Sequence, residues 1–294
     1  MLDRVVGTIV GGAIGDGWGG PFEGSVLRGP LALPDELVVS DDTQLTIATC
    51  EAVIECGRVD PGRIAARFTA WFRAGRLRGL GASTLKALRD LEAGSHWALS
   101  GAKGERSAGN GAAMRVAPLA FLMDPRDEAQ RRTLRDVCRI THHHDEAYVG
   151  ALAVTFAIRF AMTAGYAFSN LLADVASLLP DSQVRDRISR FATFGSDISP
   201  FQVADSWGSS GFVAGSVPLA LFAAREIQSR PFRDVVQRAI EAGGDTDTIG
   251  SITGQIAGAA VGASGVPQEL VARLRDHAEI ATTAEQFARV ASAG

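Results

Sequence analysis

The chain has 294 residues, 46% of them hydrophobic and 21% charged, and its formal net charge is −4. This length and apolar content allow a large buried core, and the nearly balanced charge provides no positive field that would attract nucleic acid or anionic membranes. The three cysteines show no CxxC spacing, so neither a disulfide framework nor a zinc knuckle is predicted. We therefore expect a cytoplasmic protein that binds a small soluble ligand, without nucleic-acid or membrane partners.

The N-terminal stretch MLDRVVGTIVGGAIGDGWGG has a short apolar run interrupted by glycines and lacks the features of a secretory signal. Strand-like patterns are nearly absent, and only residues 5–10 and 38–40 are candidates for extended structure. The longest run of small residues, 248–265, contains polar side chains and is too short for a predicted membrane span.

The segment GAIGDGWGGPFEG at 12–24 is predicted to be a loop that presents Asp16 and Glu23, because glycines permit positive φ and close backbone approach. The segment also matches the GxGxxG pattern through three glycines, Gly15, Gly17 and Gly20. That fingerprint must open a helix within a βαβ unit, and the glycines and prolines that follow leave no room for one. A dinucleotide-binding fold is therefore excluded.

From residue 45 onward, apolar residues recur with helical spacing. The clearest segments are LTIATCEAVIEC, PGRIAARFTAWFRA, ASTLKALRDLEAG, EAYVGALAVTFAIRFAMTAG, PFRDVVQRAIEAGG and PQELVARLRDHAE. Glycines follow several of them and prolines begin others, as expected at helix ends. No linker, charge block or internal repeat divides the chain, so an all-α fold in a single compact domain over residues 1–294 is predicted.

Glycine recurs at every fourth position late in the chain, at Gly250, Gly254, Gly258 and Gly262. On a helix this spacing removes the side chains from one face. Each glycine costs roughly 1 kcal/mol relative to alanine in a helix interior. The face is therefore predicted to recover that free energy through close backbone contact with a neighbouring helix.

Two acidic clusters, SDDT at 40–43 and GGDTDT at 243–248, each precede or begin a predicted helix. Helix N-capping by Ser, Thr or Asp accounts for either cluster alone. A cap needs only one oxygen, however, and each cluster has two carboxylates with hydroxyl neighbours. If the clusters meet, their four carboxylates need compensating charge, and an all-oxygen set is what Mg²⁺, Mn²⁺ or Ca²⁺ prefers. Both interpretations remain open at this point.

The segment SAGNGAAMRVAPLAF at 107–121 is predicted to place a glycine-rich turn before a helix. Free backbone N–H groups at such a terminus suit a phosphate, although an ordinary asparagine cap is an equal interpretation.

The segment THHHDEAYVGA at 141–151 has adjacent histidines that cannot all point one way on a helix. A zinc site is therefore not favoured, and we expect either one histidine lining a pocket or a solvated helix start.

Taken together and in order, GAIGDGWGGPFEG, SDDT, GNGAAMRVAPL, THHHDEAYVGA and GGDTDTIGSITGQIAGA resemble the motifs of the ADP-ribosylglycohydrolase family. The resemblance covers nearly the whole chain, and the paired acidic motifs are its most specific part. It implies a compact orthogonal bundle of α-helices with two Mg²⁺ or Mn²⁺ ions at the base of a cleft for ADP-ribose. The implied activity is metal-dependent hydrolysis of ADP-ribose from a modified protein or a small ADP-ribose conjugate.

The resemblance also assigns roles to individual positions. It implies six metal-binding residues, Ser40, Asp41, Asp42, Asp245, Asp247 and Thr248. Relatives more often have threonine at the position of Ser40. Glu23 is implied as the catalytic acidic residue that handles the attacking water or gates the site. Five residues are implied to bind the substrate, namely Gly109, Asn110, Gly111, Met114 and His142.

Arginine is favoured as the modified acceptor, because bacterial-type relatives of this pattern mostly resemble the arginine branch. Glu105, just before the glycine turn, could contact a guanidinium or be an ordinary surface charge. Two departures from the family pattern bear on acceptor choice. The connection between Glu23 and Ser40 is short, and Gly215 stands where relatives commonly have an acidic residue.

Two alternatives compete with this interpretation. His144 and Asp145 form the HD dipeptide of helical metal-dependent phosphohydrolases, but such sites need histidines from other helices, and only His96 and His277 remain outside the 141–151 segment. A non-catalytic structural or ADP-ribose-binding relative is the second alternative. Such proteins tend to lose the acidic ligands, which are all present here.

Overall fold

A computed structural model describes residues 1–25, 31–104 and 107–293. This described part contains fifteen α-helices, short 3₁₀ turns and isolated β-bridges but no sheet. The helices are α1 (Leu2–Gly19), α2 (Asp41–Cys56), α3 (Pro61–Arg73), α4 (Ala82–Glu92), α5 (Trp97–Ser100), α6 (Glu128–Arg139), α7 (Asp145–Ala161), α8 (Leu171–Leu178), α9 (Gln183–Phe191), α10 (Pro200–Trp207), α11 (Val213–Ala224), α12 (Phe232–Glu241), α13 (Thr246–Val261), α14 (Gln268–Val271) and α15 (His277–Ala293). The predicted all-α fold is confirmed.

The core is one continuous apolar cluster that contains side chains from α1 and from α15, at opposite ends of the chain. Helices α7, α11 and α13 are buried along most of their length. None of the described helices combines the length and the apolar character that crossing a membrane requires.

The expected extended stretch at 5–10 and the expected loop at 12–24 are wrong, because α1 runs through both as far as Gly19. Local propensity argued against a helix here, since glycine is a weak helix former. Packing reverses that preference. A Cβ atom added to Gly11 or Gly15 would lie closer than 3.0 Å to the backbone of α13, which leaves room only for glycine.

The glycine spacing of α13 forms the other side of the same contact. Gly250, Gly254 and Gly258 meet the carbonyl groups of Gly15, Gly11 and Gly7 in turn, so the two helices run antiparallel with their backbones in contact. The predicted close packing of this face is confirmed, and its partner is α1. Gly262 ends the helix with φ +73° and meets the Asp3 carboxyl group instead. We call this α1–α13 contact the glycine seam.

The helix expected within 107–121 is also wrong, because turns and a 3₁₀ helix, Ala117–Phe121, occupy the segment. Residue 118 is proline and has no N–H to donate to the Met114 carbonyl. The Gln255 side chain donates to that carbonyl instead, at 2.6 Å. The Arg115 side chain likewise donates to the Gly111 carbonyl, the acceptor that an α-helix would use for the Arg115 N–H.

The periodic segment 267–279 forms two helices, α14 and α15, with a break between them. At the break, Leu37 N–H donates to the Arg273 carbonyl and Arg275 N–H donates to the Leu37 carbonyl, at 2.8 and 3.1 Å. These hydrogen bonds with the extended segment at Leu37 replace the bonds that a continuous helix would form. The helical spacing of apolar residues therefore continues through a break in the helix.

Candidate active site

The C-terminal end of α1 and the N-terminal ends of α2 and α13 meet at one end of the glycine seam. Thr246, in the first turn of α13, donates its hydroxyl to the carbonyl of Gly19, the last residue of α1, at 2.9 Å. A cleft opens here. Its lining comprises Glu23, Asp41, Asp42, Gly79, Gly81, Ala82, Ser83, Thr84, Gly109, Asn110, Gly111, Met114, His142, Gly211, Asp245, Asp247 and Thr248.

Helix α2 begins at the floor of the cleft. Ser40 caps it, its hydroxyl accepting the N–H of Asp42 at 3.3 Å. Asp41 and Asp42 occupy the first turn and are only 5% and 1% exposed. The capping interpretation is therefore correct for Ser40, which does not line the cleft, and the two carboxylates remain available for another role.

Asp16 is a buried carboxylate behind this turn, and the sequence interpretation gave it no role in the site. Its oxygens accept the N–H groups of Ser40 and Thr43 at 3.0 and 3.1 Å and the Thr43 hydroxyl at 2.6 Å. Asp16 thereby fixes the start of α2 to α1. The glycines on either side of Asp16 recur at every fourth position, as they do in α13. This spacing predicts a buried helix and could have indicated that Asp16 is buried.

Helix α13 brings the second acidic cluster to the first. Asp245 is its N-cap, and Asp247 accepts the N–H of Thr248 at 2.8 Å. The Thr248 hydroxyl donates to Asp42 Oδ1 at 3.3 Å across the cleft floor. Residues from the two ends of the chain therefore meet, which was the condition that the metal interpretation required.

Burial and mutual repulsion perturb these carboxyl groups. Burial raises the pKa of Asp16 to about 7, and burial followed by the charge of Asp245 raises the pKa of Asp247 to about 7. Burial, then the charges of Asp16 and Asp247, raises the pKa of both Asp41 and Asp42 well above its usual range. The cleft therefore contains more negative charge than its own partners compensate.

Two further observations fit a bound cation. Asp42 Oδ2 is buried and has no hydrogen-bond partner among the described residues. Carboxylate oxygens of Glu23, Asp245 and Asp247 lie within 4.8 Å of one another. A buried, unpartnered carboxylate oxygen is costly, and a hard divalent cation with oxygen ligands would compensate it. The lining suits Mg²⁺, Mn²⁺ or Ca²⁺, because it contains five carboxylates and no cysteine, with Met114 as its one thioether and His142 as its one imidazole.

The opposite wall carries the residues expected to bind substrate. Asn110 is 8% exposed, and its amide donates to the Ser216 hydroxyl at 3.0 Å and to Asp245 Oδ2. It therefore orients Asp245 as well as facing the cleft. Burial, with a further effect of the Arg115 charge, lowers the pKa of His142 to about 3, so its imidazole is neutral. Gly109 and Gly111 lie against this ring, and a side chain at Gly111 would overlap it.

Arg115 lies behind this wall, because it is only 1% exposed and does not line the cleft. It donates to the Gly111 and Val137 carbonyls and lies over the Phe68 ring, 5.2 Å from its centroid. Its positive charge lowers the pKa of Asp41, a weaker effect than burial. Arg115 thus supports the glycine turn from behind.

All the residues expected to form the site line the cleft, except Ser40. The cleft residues that the sequence interpretation missed include Gly79, Gly81 and residues 82–84, at the start of α4, where no acidic or histidine motif marks them. Glu105 lies outside the described residues, and Gly215 lies within α11 and is not one of the cleft-lining residues.

The residues of the HD alternative lie elsewhere. The His144 ring accepts the N–H of Glu146 and caps α7. Asp145 pairs with Arg135, and its side chain is 74% exposed. Neither residue lines the cleft.

Comparison with known proteins identifies the family of the chain. The sequence model described as ADP-ribosylglycohydrolase matches residues 1–294. The chain belongs to the ADP-ribosylglycohydrolase family. The resemblance inferred from the motifs is thus confirmed, and it extends over the whole length.

Among named relatives in this family, ADP-ribosylarginine hydrolase Tri1 of Serratia proteamaculans is 28% identical, over 97% of this chain and 79% of its own length. ADP-ribosylhydrolase ARH3 of Danio rerio is 27% identical, over 91% of this chain and 85% of its own. A solved structure described as an ADP-ribosylglycohydrolase-related protein complex superimposes with a TM-score of 0.77 at 26% identity, covering 99% of this chain and 98% of that chain.

Proposed function

We propose that the protein is a hydrolase that removes ADP-ribose from a modified acceptor, with arginine in a protein as the preferred acceptor. The observation that carries this proposal is the meeting of the two acidic clusters, with a buried, unpartnered oxygen on Asp42. Family membership and relatives named as ADP-ribosylarginine hydrolase and ADP-ribosylhydrolase support it.

The proposed cofactor is a pair of Mg²⁺ or Mn²⁺ ions. Asp41, Asp42, Asp245, Asp247 and Thr248 would hold them, and the carboxylate-rich, cysteine-free lining supports this choice. When bound, such ions supply positive charge that orients the vicinal hydroxyls of a ribose and makes a nearby water more acidic. Ser40 stays a proposed ligand, although its hydroxyl already accepts the Asp42 N–H.

The chain's own residues would perform the remaining chemistry. Glu23 lies at the exposed rim, within 4.8 Å of Asp245 and Asp247. The Asp247 charge, more than burial, raises the pKa of Glu23, so its carboxylate is a better acceptor for a proton from the attacking water. Carboxylates near the ribose also favour the positive charge that develops on the sugar ring during glycosidic cleavage.

The opposite wall would position the substrate. Neutral His142 cannot repel a cationic acceptor group, and its ring lies between the glycines of the turn and the buried Thr141. Backbone groups of Gly109 and Gly111 can approach a ligand closely because they carry no side chains. Asn110 holds Asp245 in place, so the substrate wall and the acidic cluster are physically connected.

The test is hydrolysis of ADP-ribose conjugates linked to arginine, serine and acetate, measured side by side as free ADP-ribose released. We expect release with Mg²⁺ or Mn²⁺ but not with chelator, and fastest release from the arginine conjugate. Asp245→Asn should lower the rate at least about a hundredfold, since it removes a proposed ligand. Asp234→Asn, the same change at an exposed site on α12, should leave the rate unchanged.

Undiminished release by Asp245→Asn would contradict the metal-site proposal. Calorimetric titration of the wild type with Mn²⁺ and ADP-ribose separates the remaining cases. Heats of binding without turnover of any conjugate would indicate an ADP-ribose-binding protein, and the absence of both heats and turnover would indicate a structural relative.

A further inference from the structure

Arg115 carries a buried positive charge that no carboxylate pairs with directly. Its side chain is 1% exposed and forms no ion pair within the described part of the chain. The carbonyls of Gly111 and Val137 accept two of its N–H groups, while its Nε has no partner there. Burial lowers the pKa of Arg115 to about 10, so the guanidinium stays charged at neutral pH. A buried charge of this kind is costly unless an anion lies near it.

The hydrogen bond to the Gly111 carbonyl fixes one peptide unit of the glycine turn at 109–111. In a trans peptide the C=O and N–H groups point in opposite directions. Arg115 lies behind the wall and holds the Gly111 carbonyl on its own side. The N–H of Ala112, which belongs to the same peptide unit, therefore points away from Arg115.

Three hydrogen-bond donors at this turn have no acceptor among the described residues. They are the backbone N–H groups of Gly111 and Ala112 and the hydroxyl of Thr84. The next two N–H groups along the chain both donate to the Asn110 carbonyl, at 2.8 and 3.1 Å. Thr84 lines the cleft and is only 2% exposed, and a Cβ atom on Gly111 would lie 3.1 Å from its hydroxyl oxygen. Unused donors beside a positive charge are complementary to an anion.

The charge of Arg115 also acts on residues that line the cleft. Burial is the largest influence on the pKa values of Asp41 and His142, raising the first and lowering the second, and the Arg115 charge lowers both. The guanidinium is held in place over the Phe68 ring, 5.2 Å from its centroid. A fixed charge in a buried environment favours an anion in the cleft and opposes a cation.

We propose that Arg115 is a positioning residue for the diphosphate of the ADP-ribosyl group. It holds the Gly111 carbonyl behind the wall, which leaves the adjacent N–H groups free to donate to the diphosphate, and its unpaired charge attracts the same anion. Arg115 acts through the turn, because it does not line the cleft. The inference rests on the proposed function, which supplies the ligand.

The experiment replaces the buried charge with an apolar side chain of similar length, in Arg115→Met. The diphosphate is remote from the bond that breaks, so KM for the arginine conjugate should rise about tenfold while kcat changes less than about twofold. Calorimetry with saturating Mn²⁺ should show the Kd of ADP-ribose rising by the same factor. The Kd of Mn²⁺ alone should stay the same or fall, because the lost positive charge had opposed cation binding. General destabilisation would not weaken one ligand and spare the other.

Two further variants test the geometry. Arg115→Lys keeps a positive charge but lacks the planar fork that reaches two carbonyls, so the Kd of ADP-ribose should rise less, about threefold. Arg159→Met is the matched control. Arg159 also donates to two backbone carbonyls, those of Ala120 and Met123, and its Nε is also unpartnered among the described residues. Neither carbonyl belongs to the glycine turn, so this change should leave KM and both Kd values unaltered.

Inhibition of turnover separates the diphosphate from the rest of the ligand. Arg115→Met should weaken inhibition by ADP about tenfold, as expected when a charge-assisted contact is lost, and should leave inhibition by adenosine unchanged. Equal weakening of both inhibitors would overturn the proposal, because adenosine has no phosphate. An unchanged Kd of ADP-ribose, or parallel losses of ADP-ribose and Mn²⁺ affinity, would also overturn it. If the wild type hydrolyses no conjugate, the proposed function fails, and the calorimetric comparison still tests the role of Arg115.

Discussion

The glycine seam and the acidic cleft both involve α1 and α13, and they differ in how well their polar groups and packing are satisfied. Along the seam, α1 and α13 place bare backbone against bare backbone, and the contact leaves no space for a side chain. At its end the same helices contribute Asp16, Asp245 and Asp247 to a set of crowded carboxylates with one buried, unpartnered oxygen. The seam is optimised for packing, whereas the cleft is not.

The difference assigns a separate task to each region. A rigid seam fixes the distance between the ends of α1 and α13, and the hydroxyl of Thr246 on Gly19 holds that end in register. The carboxylates cannot then move apart to relieve their repulsion. The packing of the seam therefore offsets the repulsion among the cleft carboxylates. Such an arrangement is expected where a site must be organised before its ligand binds.

The largest effect is expected in the seam. Gly15→Ala would place a Cβ atom against the backbone of Gly250, where nothing flexible can yield, and should destabilise the protein by about 4 kcal/mol or more. Gly20→Ala is the matched control. Gly20 has φ −49° and open space around the added atom, so the change should stay within about 1 kcal/mol. Chemical unfolding measures both, and equal midpoints would refute the tight seam.

A second effect is expected from pH in the absence of metal, about 1.4 kcal/mol per group for each pH unit between its unfolded and folded pKa values. The pKa values of Asp16 and Asp247 rise from 3.8 to about 7 on folding, so the folded state binds more protons between these values. Stability from these groups is fully present below about pH 4 and is lost as pH rises through 7. Unfolding in chelator at pH 5 and pH 8 should show the loss.

Two comparisons sharpen this prediction. Asp247→Asn should reduce the fall in stability, since one of the contributing groups is removed. Excess Mn²⁺ should stabilise the wild type more at pH 8 than at pH 5, because ligands must be deprotonated to bind it. A metal-free protein whose stability is flat over this interval would show that the carboxylates are not crowded as described.

The smallest effect tests the connection between α1 and α2. Thr43→Val removes the hydroxyl that donates to Asp16 at 2.6 Å and should cost about 2 kcal/mol, as for a hydrogen bond to a charged group. Thr49→Val is its control on the same helix. That hydroxyl is equally buried but bonds to the Leu45 carbonyl of its own helix, so its loss should cost less. Equal unfolding free energies for the two variants would show that Asp16 does not stabilise the start of α2.

Features with a local cause were predictable from the sequence. Ser40 and Gly57 mark the two ends of α2, because caps act within one helical turn. The acidic clusters and the glycine turn were found from residue type and order alone. Their assembly in one cleft followed from the resemblance of the motifs to a known family.

Features that depend on distant partners were not predictable in this way. Helix α1 looked like a loop because its glycines are stabilised by α13, far along the chain. A helix was expected after the glycine turn, although Pro118 lacks the N–H that such a helix would need. Gln255, on α13, supplies the missing donor. Asp16 lies in the first motif, but its role could not be predicted, because it depends on hydrogen bonds to residues at the start of the next helix.

The antiparallel pairing of α1 with α13 has a consequence for synthesis on the ribosome. Gly11 is translated long before Gly254, the residue whose backbone it contacts. At about 5–20 residues per second, the delay is roughly 10 to 50 s. During that time the nascent N-terminal segment has no partner for its bare face, and the cleft cannot assemble until α13 has been translated.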